Sequence, residues 1–368
     1  MKPILLYSAE TLQKWDRSTP WKTGIGGSET AHIELYQNLP EDVIVKSFMP
    51  LDVNSPSSDY NCFPSQLIEH KDFTETPHIV VNYRDNTLYD KVKFHPKTKH
   101  YFIAQDVDYA WTPEQLSNVN RYITLCEDHT RYTLNKYPEL RGKVYQSSNG
   151  VRSQMIKYYW ENRFNNSIKP RNKNQVIYAS SPDRGLLCLL ENFWRIREAV
   201  PDAILKVAYG FENTDKIISM LGGSAYHEGF KAKIEPLLSQ PGVEWLGRIP
   251  QDILYEHWFE SSVWAYPCNF AETSCITCLD AQACGAVPVT NDLWALRDNV
   301  KSGIIIPGIP QSDKTLKHKF IQGVIDVLNS DISETERKTQ IADPILENYS
   351  WKNITHQFYD WFKEDSND

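Results

Sequence analysis

Phe270-Ala271-Glu272-Thr273-Ser274-Cys275, followed by Asp280-Ala281-Gln282-Ala283-Cys284-Gly285-Ala286-Val287-Pro288-Val289, reads as a loop, a helix from Ser274 to Ala283, a small-residue turn and a strand from Val287 to Val289. The apolar run Val263 to Tyr266 precedes it, so the segment is strand, loop, helix, strand, the unit from which parallel sheets are built. The spacing of Glu272 and Asp280 places one at the mouth of the helix and the other about two turns along the same face. Two carboxylates so placed can accept hydrogen bonds from hydroxyls at two points of one elongated ligand. Each also has a plainer use, Glu272 complementing the helix dipole and Asp280 as a solvated or capping side chain.

The same alternation runs outward from this stretch. Val176 to Ala179, Ala203 to Ala208 and Val243 to Leu246 predict strands, and Leu186 to Val200 and Ile253 to Glu260 predict helices. Further toward the N-terminus, Pro3 to Tyr7, Val43 to Phe48, His78 to Asn82, Tyr101 to Ala104 and Tyr122 to Leu125 read as buried strands, with helices at Ser28 to Leu39 and Glu127 to Tyr137. Between the two regions the pattern pauses at Asn149-Gly150, then crosses a polar, basic stretch, Asn162 to Asn174, with the composition of a linker and hinge. Tyr349 to Lys363 is amphipathic, with Trp351, Phe358, Trp361 and Phe362 at helical spacing, although periodicity does not say which domain it packs on.

Composition removes several functions. A chain of 368 residues suits two cores. Its formal charge of −8 argues against wrapping nucleic acid or coating an anionic membrane. No run of about 18 uncharged apolar residues is present, and the apolar run in Met1 to Glu10 is too short for a signal peptide, so a cytoplasmic setting is expected. Seven scattered cysteines fit reduced thiols. Cys268, Cys275, Cys278 and Cys284 lie close together, but without paired Cys-x-x-Cys knuckles or a nearby His they read as packed hydrophobes rather than a metal site.

Two further loops follow strands and open helices. Gly24-Ile25-Gly26-Gly27-Ser28-Glu29 suits an anion, because glycines admit close approach and the first amides of a helix are free donors; it lacks the lysine of a P-loop. Ser180-Ser181-Pro182-Asp183-Arg184-Gly185 offers Arg184, whose planar fork of donors matches two phosphate oxygens. Ordinary capped turns would carry the same residues.

Together these stretches resemble the retaining glycosyltransferases of family 4, whose fold, GT-B, is two Rossmann-like doubly wound α/β domains facing across a cleft. The resemblance runs through Gly26 to Glu29, Ser148-Asn149-Gly150, Arg184-Gly185, Pro201 to Leu205, Trp245 to Arg248, the Glu272 to Pro288 block and Tyr349-Ser350-Trp351. It implies an acceptor-side domain at 1–165, a nucleotide-sugar-binding domain at 166–345, and a C-terminal helix at 346–368 that could cross back to the first domain. It implies transfer of a sugar from a nucleotide-diphosphate-sugar co-substrate with retention, needing no cofactor and no metal. Gly26 and Gly27 would lie against the diphosphate, with Arg184 standing where the family usually has Lys. Glu272 would bind the sugar, the amides of Thr273, Ser274 and Cys275 would approach sugar and phosphate, and Asp280 would bind the ribose. Gln105 stands where many relatives carry His, leaving Asp106, after a strand, as the candidate base or acceptor-positioning group; Arg84 is a weaker candidate on the same rim.

The acceptor expected from the resemblance is a saccharide, glycan or glycolipid, with peripheral membrane contact open and nucleic acid disfavoured by the acidic balance. Two other functions fit the same fold: a sugar-nucleotide epimerase and a catalytically inactive nucleotide-sugar-binding protein.

Overall fold

Runs such as Ile4-Leu5-Leu6 and Ile79-Val80-Val81 are apolar at every position, not at alternate ones, because the strands they form are parallel and covered on both faces. In the computed structural model, which describes residues 1–11, 13–51, 59–220 and 222–366, thirteen such strands form two sheets. The contacts divide the chain into two units: Met1–Pro20, Ile25–Gly150 and Tyr349–Asp368 make unit 1, and Trp21–Gly24 with Val151–Asn348 make unit 2.

Unit 1 holds β1 (Ile4–Ser8), β2 (Val45–Met49), β3 (Cys62–Pro64), β4 (Ile79–Tyr83), β5 (Lys99–Ile103), β6 (Arg121–Thr124) and β7 (Val144–Gln146) in the order β3-β2-β1-β4-β5-β6-β7. Leu5, Phe48 and Val80 pack with Phe73 on one side, while Phe102 and Tyr122 pack with Leu116 and Leu140. Helix α1 (Gly27–Asn38) is buried from Thr30 to Leu35. Its fully buried His32 bridges Ser8 Oγ at 2.8 Å and Ser47 Oγ at 2.7 Å. A further helix, α2 (Glu127–Lys136), starts on Cys126 as its cap.

Unit 2 begins with α3 (Ser153–Phe164) and contains β8 (Asn172–Tyr178), α4 (Leu186–Ala199), β9 (Ile204–Ala208), β10 (Val243–Gly247), α5 (Gln251–Glu260), β11 (Ser261–Tyr266), α6 (Ile276–Ala283), β12 (Val287–Asn291), α7 (Ala295–Asn299) and β13 (Ile304–Ile306). Its sheet runs β10-β9-β8-β11-β12-β13, all parallel. Numbered within the unit this is 3-2-1-4-5-6, the Rossmann order, with its reversal between the first and fourth strands. Unit 1 repeats that order and adds a seventh strand.

The chain passes from unit 1 to unit 2 between Gly150 and Val151, ahead of the boundary placed at residue 165 and the hinge placed at 162–174. Those residues end α3 and begin β8. Two of the basic side chains there are internal, although Lys169 and Lys173 are exposed: Arg163 Nη2 donates to Phe259 O at 2.8 Å and Arg171 Nη2 to Cys284 O at 3.0 Å. The helix expected from Ser274 starts at Ile276, because Cys275 sits at φ +55°, outside the helical region. Strands β3, β7 and β13 are edge strands of three residues, too short to show a period.

The last helix, α9 in chain order after α8 (Lys314–Asn329), is Trp351–Ser366, and it belongs to unit 1. Phe358 and Phe362 are buried, and Phe362 lies 5.5 Å from the Tyr101 ring. Arg121 fixes the end of the helix: Nε donates to Asp365 at 2.8 Å and Nη2 to Glu364 at 2.8 Å, with the guanidinium 4.4 Å over the Tyr145 ring. Among the described residues no helix is long and apolar enough to cross a membrane.

Three histidines of unit 1 make its stability pH-dependent. Burial lowers His32 to about 3, and His100 and His129 to about 4. The unfolded chain takes up these protons near pH 6.5 and the folded chain does not, so stability is complete above about 6.5 and is lost as pH falls. Denaturant unfolding at pH 7 and pH 5 should differ by up to about 2 kcal/mol per histidine, with unit 1 the weaker at pH 5. Equal stability at the two pH values would mean that these imidazoles are not held neutral.

Candidate functional site

In open parallel sheets, ligands bind beyond the carboxyl ends of the strands where the order reverses. In unit 2 that point lies between β8 and β11, and the loops leaving these strands carry Arg184 and Glu272. Pro182–Arg184 makes a single tight turn after β8. Gly185 follows at φ +116°, where a Cβ would collide with the Pro267 carbonyl oxygen, so only glycine lets the loop from β8 lie against the loop from β11.

Arg184 Nη1 reaches both Glu272 oxygens, at 3.0 and 3.1 Å, and its guanidinium lies 4.0 Å over the Phe270 ring. Tyr266, the last residue of β11, donates its hydroxyl to Glu272 Oε1 at 2.5 Å. Glu272 is only 6% exposed, while a third of the Arg184 side chain faces solvent. Burial works against the arginine charge, but the Glu272 carboxylate outweighs it and holds the guanidinium protonated. Arg184 Nε is a buried donor with no hydrogen-bond partner among the described residues.

The backbone behind this pair is held on both sides. Ala295 N, at the start of α7, donates to Glu272 O at 3.0 Å, and Asn299 Nδ2 donates to Ser274 O. Thr273, Ser274 and Cys275 are buried and lead into α6 through the left-handed Cys275. Trp294, just before α7, also has a positive φ of +51°. Asp280 does not stand free beside Glu272: Tyr255 of α5 donates to its Oδ1 at 2.7 Å. Arg184 and Glu272, assigned in the sequence reading to separate parts of a ligand, are here each other's partners. The chemistry on offer is a partly exposed guanidinium for anionic oxygens beside a buried carboxylate for hydroxyls, at the N-terminus of α6.

Unit 1 has its own reversal, between β1 and β4. A cavity of about 240 Å³ lies there, bounded by the loop after β1, the start of α1, and the ends of β4 and β5. Arg84, at φ +68°, grips Asp106 with Nε at 2.7 Å and Nη2 at 3.1 Å, and donates from Nη1 to Ser28 Oγ at 2.7 Å. Asp106 is therefore engaged through both oxygens. Gln105 exchanges two 3.2 Å amide hydrogen bonds with Asn149.

Gly26 caps α1 and Gly27 is its first residue, yet a Cβ on Gly26 would strike the Glu29 carboxylate. The Glu29 carboxylate therefore lies beside Gly26 at this helix start.

Against the expectation that the chain carries no Asp-x-Asp metal motif, Asp106-Val107-Asp108 has that spacing. Both carboxylates are matched by cations, Asp106 by Arg84 and Asp108 by Lys136. The cysteines at 268, 275, 278 and 284 are buried free thiols, and burial pushes Cys268 up to about 12. Among the described residues no group of three or more His, Cys, Asp or Glu side chains could hold a metal ion. The contacts of Tyr266 with Glu272, Phe270 with Arg184 and Tyr255 with Asp280 are not legible in the sequence, because each joins residues that only the fold brings together.

No family model matches the chain, and no curated protein matches it in sequence. Solved structures match its fold. The N-terminal domain of Candida albicans trehalose-6-phosphate phosphatase has a TM-score of 0.68 at 9% identity, covering 100% of this chain and 97% of that one. AviGT4, a glycosyltransferase involved in avilamycin A biosynthesis, has a TM-score of 0.64 at 11% identity, covering 99% and 97%. Anabaena HepE, solved with UDP and glucose, has a TM-score of 0.61 at 13% identity, covering 99% and 100%. At these identities the likeness shows the fold, two Rossmann-like units of the GT-B type.

Gly185→Ala should destabilise the fold by more than the ~1 kcal/mol typical of a glycine replaced at positive φ, because backbone strain is joined by the collision with Pro267. Thermal unfolding would show it, and an unchanged midpoint would mean that the two loops are not packed as described.

Proposed function

We propose that the chain is a glycosyltransferase that takes its sugar from a nucleoside-diphosphate sugar held by unit 2 and delivers it to an acceptor held by unit 1. The observation that carries this reading is the Arg184–Glu272 pair, backed by Tyr266, at the strand-order reversal of unit 2. The fold it shares with a glycosyltransferase and with a protein solved with UDP and glucose supports the same reading.

Breaking the bond between anomeric carbon and phosphate leaves an oxocarbenium-like sugar and a negative diphosphate. Arg184 would stabilise the leaving diphosphate with its solvent-facing edge, and the N-terminus of α6 would add to the same field. Glu272, held by Tyr266 and Arg184, would accept hydrogen bonds from hydroxyls of the transferred sugar, and Asp280 would bind the ribose. Gly26 and Gly27 would lie against the same diphosphate, with the Glu29 carboxylate close by, so the leaving charge falls chiefly to Arg184. Retention is the expected outcome, with a departing phosphate oxygen taking the acceptor proton. Asp106, fixed by Arg84, then serves to position the acceptor, and no step requires a metal.

Transfer can be followed as nucleoside diphosphate released from a panel of donors in the presence of mixed oligosaccharide acceptors. Arg184→Ala should reduce it at least about tenfold, the loss of a charge-assisted contact worth roughly 1.5–3 kcal/mol. Glu272→Gln should weaken binding of the nucleotide-sugar more than that of the bare nucleoside diphosphate; equal losses would remove Glu272 from the sugar. Asp106→Asn should suppress transfer while donor binding stays near wild type, and loss of donor affinity would move Asp106 to the donor instead.

A further inference from the structure

Three arginines of unit 2 are buried together at the amino-terminal edge of its sheet, the edge opposite the Arg184–Glu272 pair. Arg163 lies in the last turn of α3, Arg171 directly precedes β8, and Arg337 opens the helical stretch Arg337–Ala342. The Arg163 and Arg171 side chains are 5% exposed, and Arg337 is 3% exposed. Part of their role is structural. Arg163 Nη2 donates to Phe259 O near the end of α5, and Arg171 Nη2 and Arg337 Nη1 donate to Cys284 O and Gly285 O just past the end of α6, at 3.0 and 2.9 Å, where the helix dipole favours a cation.

The charges around them do not balance. Arg171 grips Glu334 with Nε at 2.7 Å and Nη2 at 3.2 Å, while Arg163 Nε stops 3.8 Å from the same carboxylate. Glu260, the other carboxylate acting on Arg163, is held by Lys169 at 3.4 Å. Four cations thus face two carboxylates, and three of those cations are out of water. Burial and the neighbouring Arg171 charge lower Arg163 and bring Arg337 down to about 10. Donors are unspent as well. Among the described residues Arg163 Nε, though buried, has no hydrogen-bond partner, and Arg337 donates through Nη1 alone, to Gly285 O and to Ser262 O at 3.0 Å.

We propose that this cluster binds a small tetrahedral dianion, inorganic phosphate or sulfate, which takes the place of the Glu334 carboxylate among Arg163, Arg171 and Arg337. Glu334 sits on a single helical turn, Glu334–Glu336, and its side chain is 31% exposed, so it is the member of the cluster that solvent reaches. With Glu334 turned to water, a dianion in its place reduces the surplus from two positive charges to one, and its oxygens accept from the guanidinium donors that a single carboxylate leaves unused. The burial of all three guanidiniums restricts the ligand to the free ion. None of this rests on the glycosyltransferase reading.

The test uses the full chain carrying Arg184→Ala, so that an anion held by the other partly exposed guanidinium of unit 2 is not counted. Phosphate, sulfate, acetate and glucose 6-phosphate are titrated by calorimetry in chloride at constant ionic strength, with thermal unfolding read on the same samples. Phosphate and sulfate should bind and raise the midpoint, and acetate and glucose 6-phosphate should bind at least about tenfold more weakly. Adding Glu334→Gln should lower the midpoint in chloride, and by removing the competing carboxylate it should tighten phosphate at least about tenfold, so that phosphate restores the lost stability. The ranking of the four anions in the chain that keeps Glu334 decides the proposal even where Glu334→Gln does not fold. Failure of phosphate and sulfate to bind, acetate or glucose 6-phosphate binding as well as phosphate, or a phosphate affinity that Glu334→Gln leaves unchanged would each overturn it.

Discussion

A carboxylate buried at the end of a parallel strand needs a cation, and Glu272 has Arg184. This constraint organises the loops at the carboxyl end of the unit 2 sheet. The arginine reaches the carboxylate only because Gly185 lets the loop after β8 close on Pro267, and the carboxylate is aimed by Tyr266 from the end of its own strand. The positive φ of Cys275 and the contacts from α7 to Glu272 O and Ser274 O fix the same loop from behind. Such strain persists where surrounding structure over-determines it, as it does here from both sides.

The two units share one topology and differ in charge. Unit 2 presents a partly exposed guanidinium beside a single buried carboxylate, whereas unit 1 ties its arginine to Asp106 and Ser28.

Much of the fold was legible because parallel strands buried on both faces are near-continuous apolar runs. The three-residue edge strands β3, β7 and β13 carry too little pattern to be read. The basic stretch near residue 165 misled for a physical reason: composition cannot tell a solvated arginine from Arg163 or Arg171, whose guanidiniums donate to buried carbonyls. At the candidate site, Arg184 and Glu272 could each be singled out at the end of a strand, but their mutual pairing depends on β8 and β11 being neighbours, which only the sheet order reveals. The grip of Arg84 on Asp106 likewise follows from β4 lying beside β5, with Tyr83 opposite Ile103.

The central claim is that the guanidinium of unit 2 receives the diphosphate of a nucleotide-sugar, and binding tests it without knowledge of the acceptor. Thermal unfolding of the full chain and of Arg184→Ala, each with a panel of nucleoside-diphosphate sugars, measures it directly. At a hundredfold excess over its dissociation constant, a ligand of the native state adds about 2.7 kcal/mol of stability. The account predicts that at least one nucleotide-sugar raises the midpoint of the wild-type chain and that Arg184→Ala loses most of that rise. A panel with no effect on the wild type, or a rise that survives unchanged in Arg184→Ala, would contradict it.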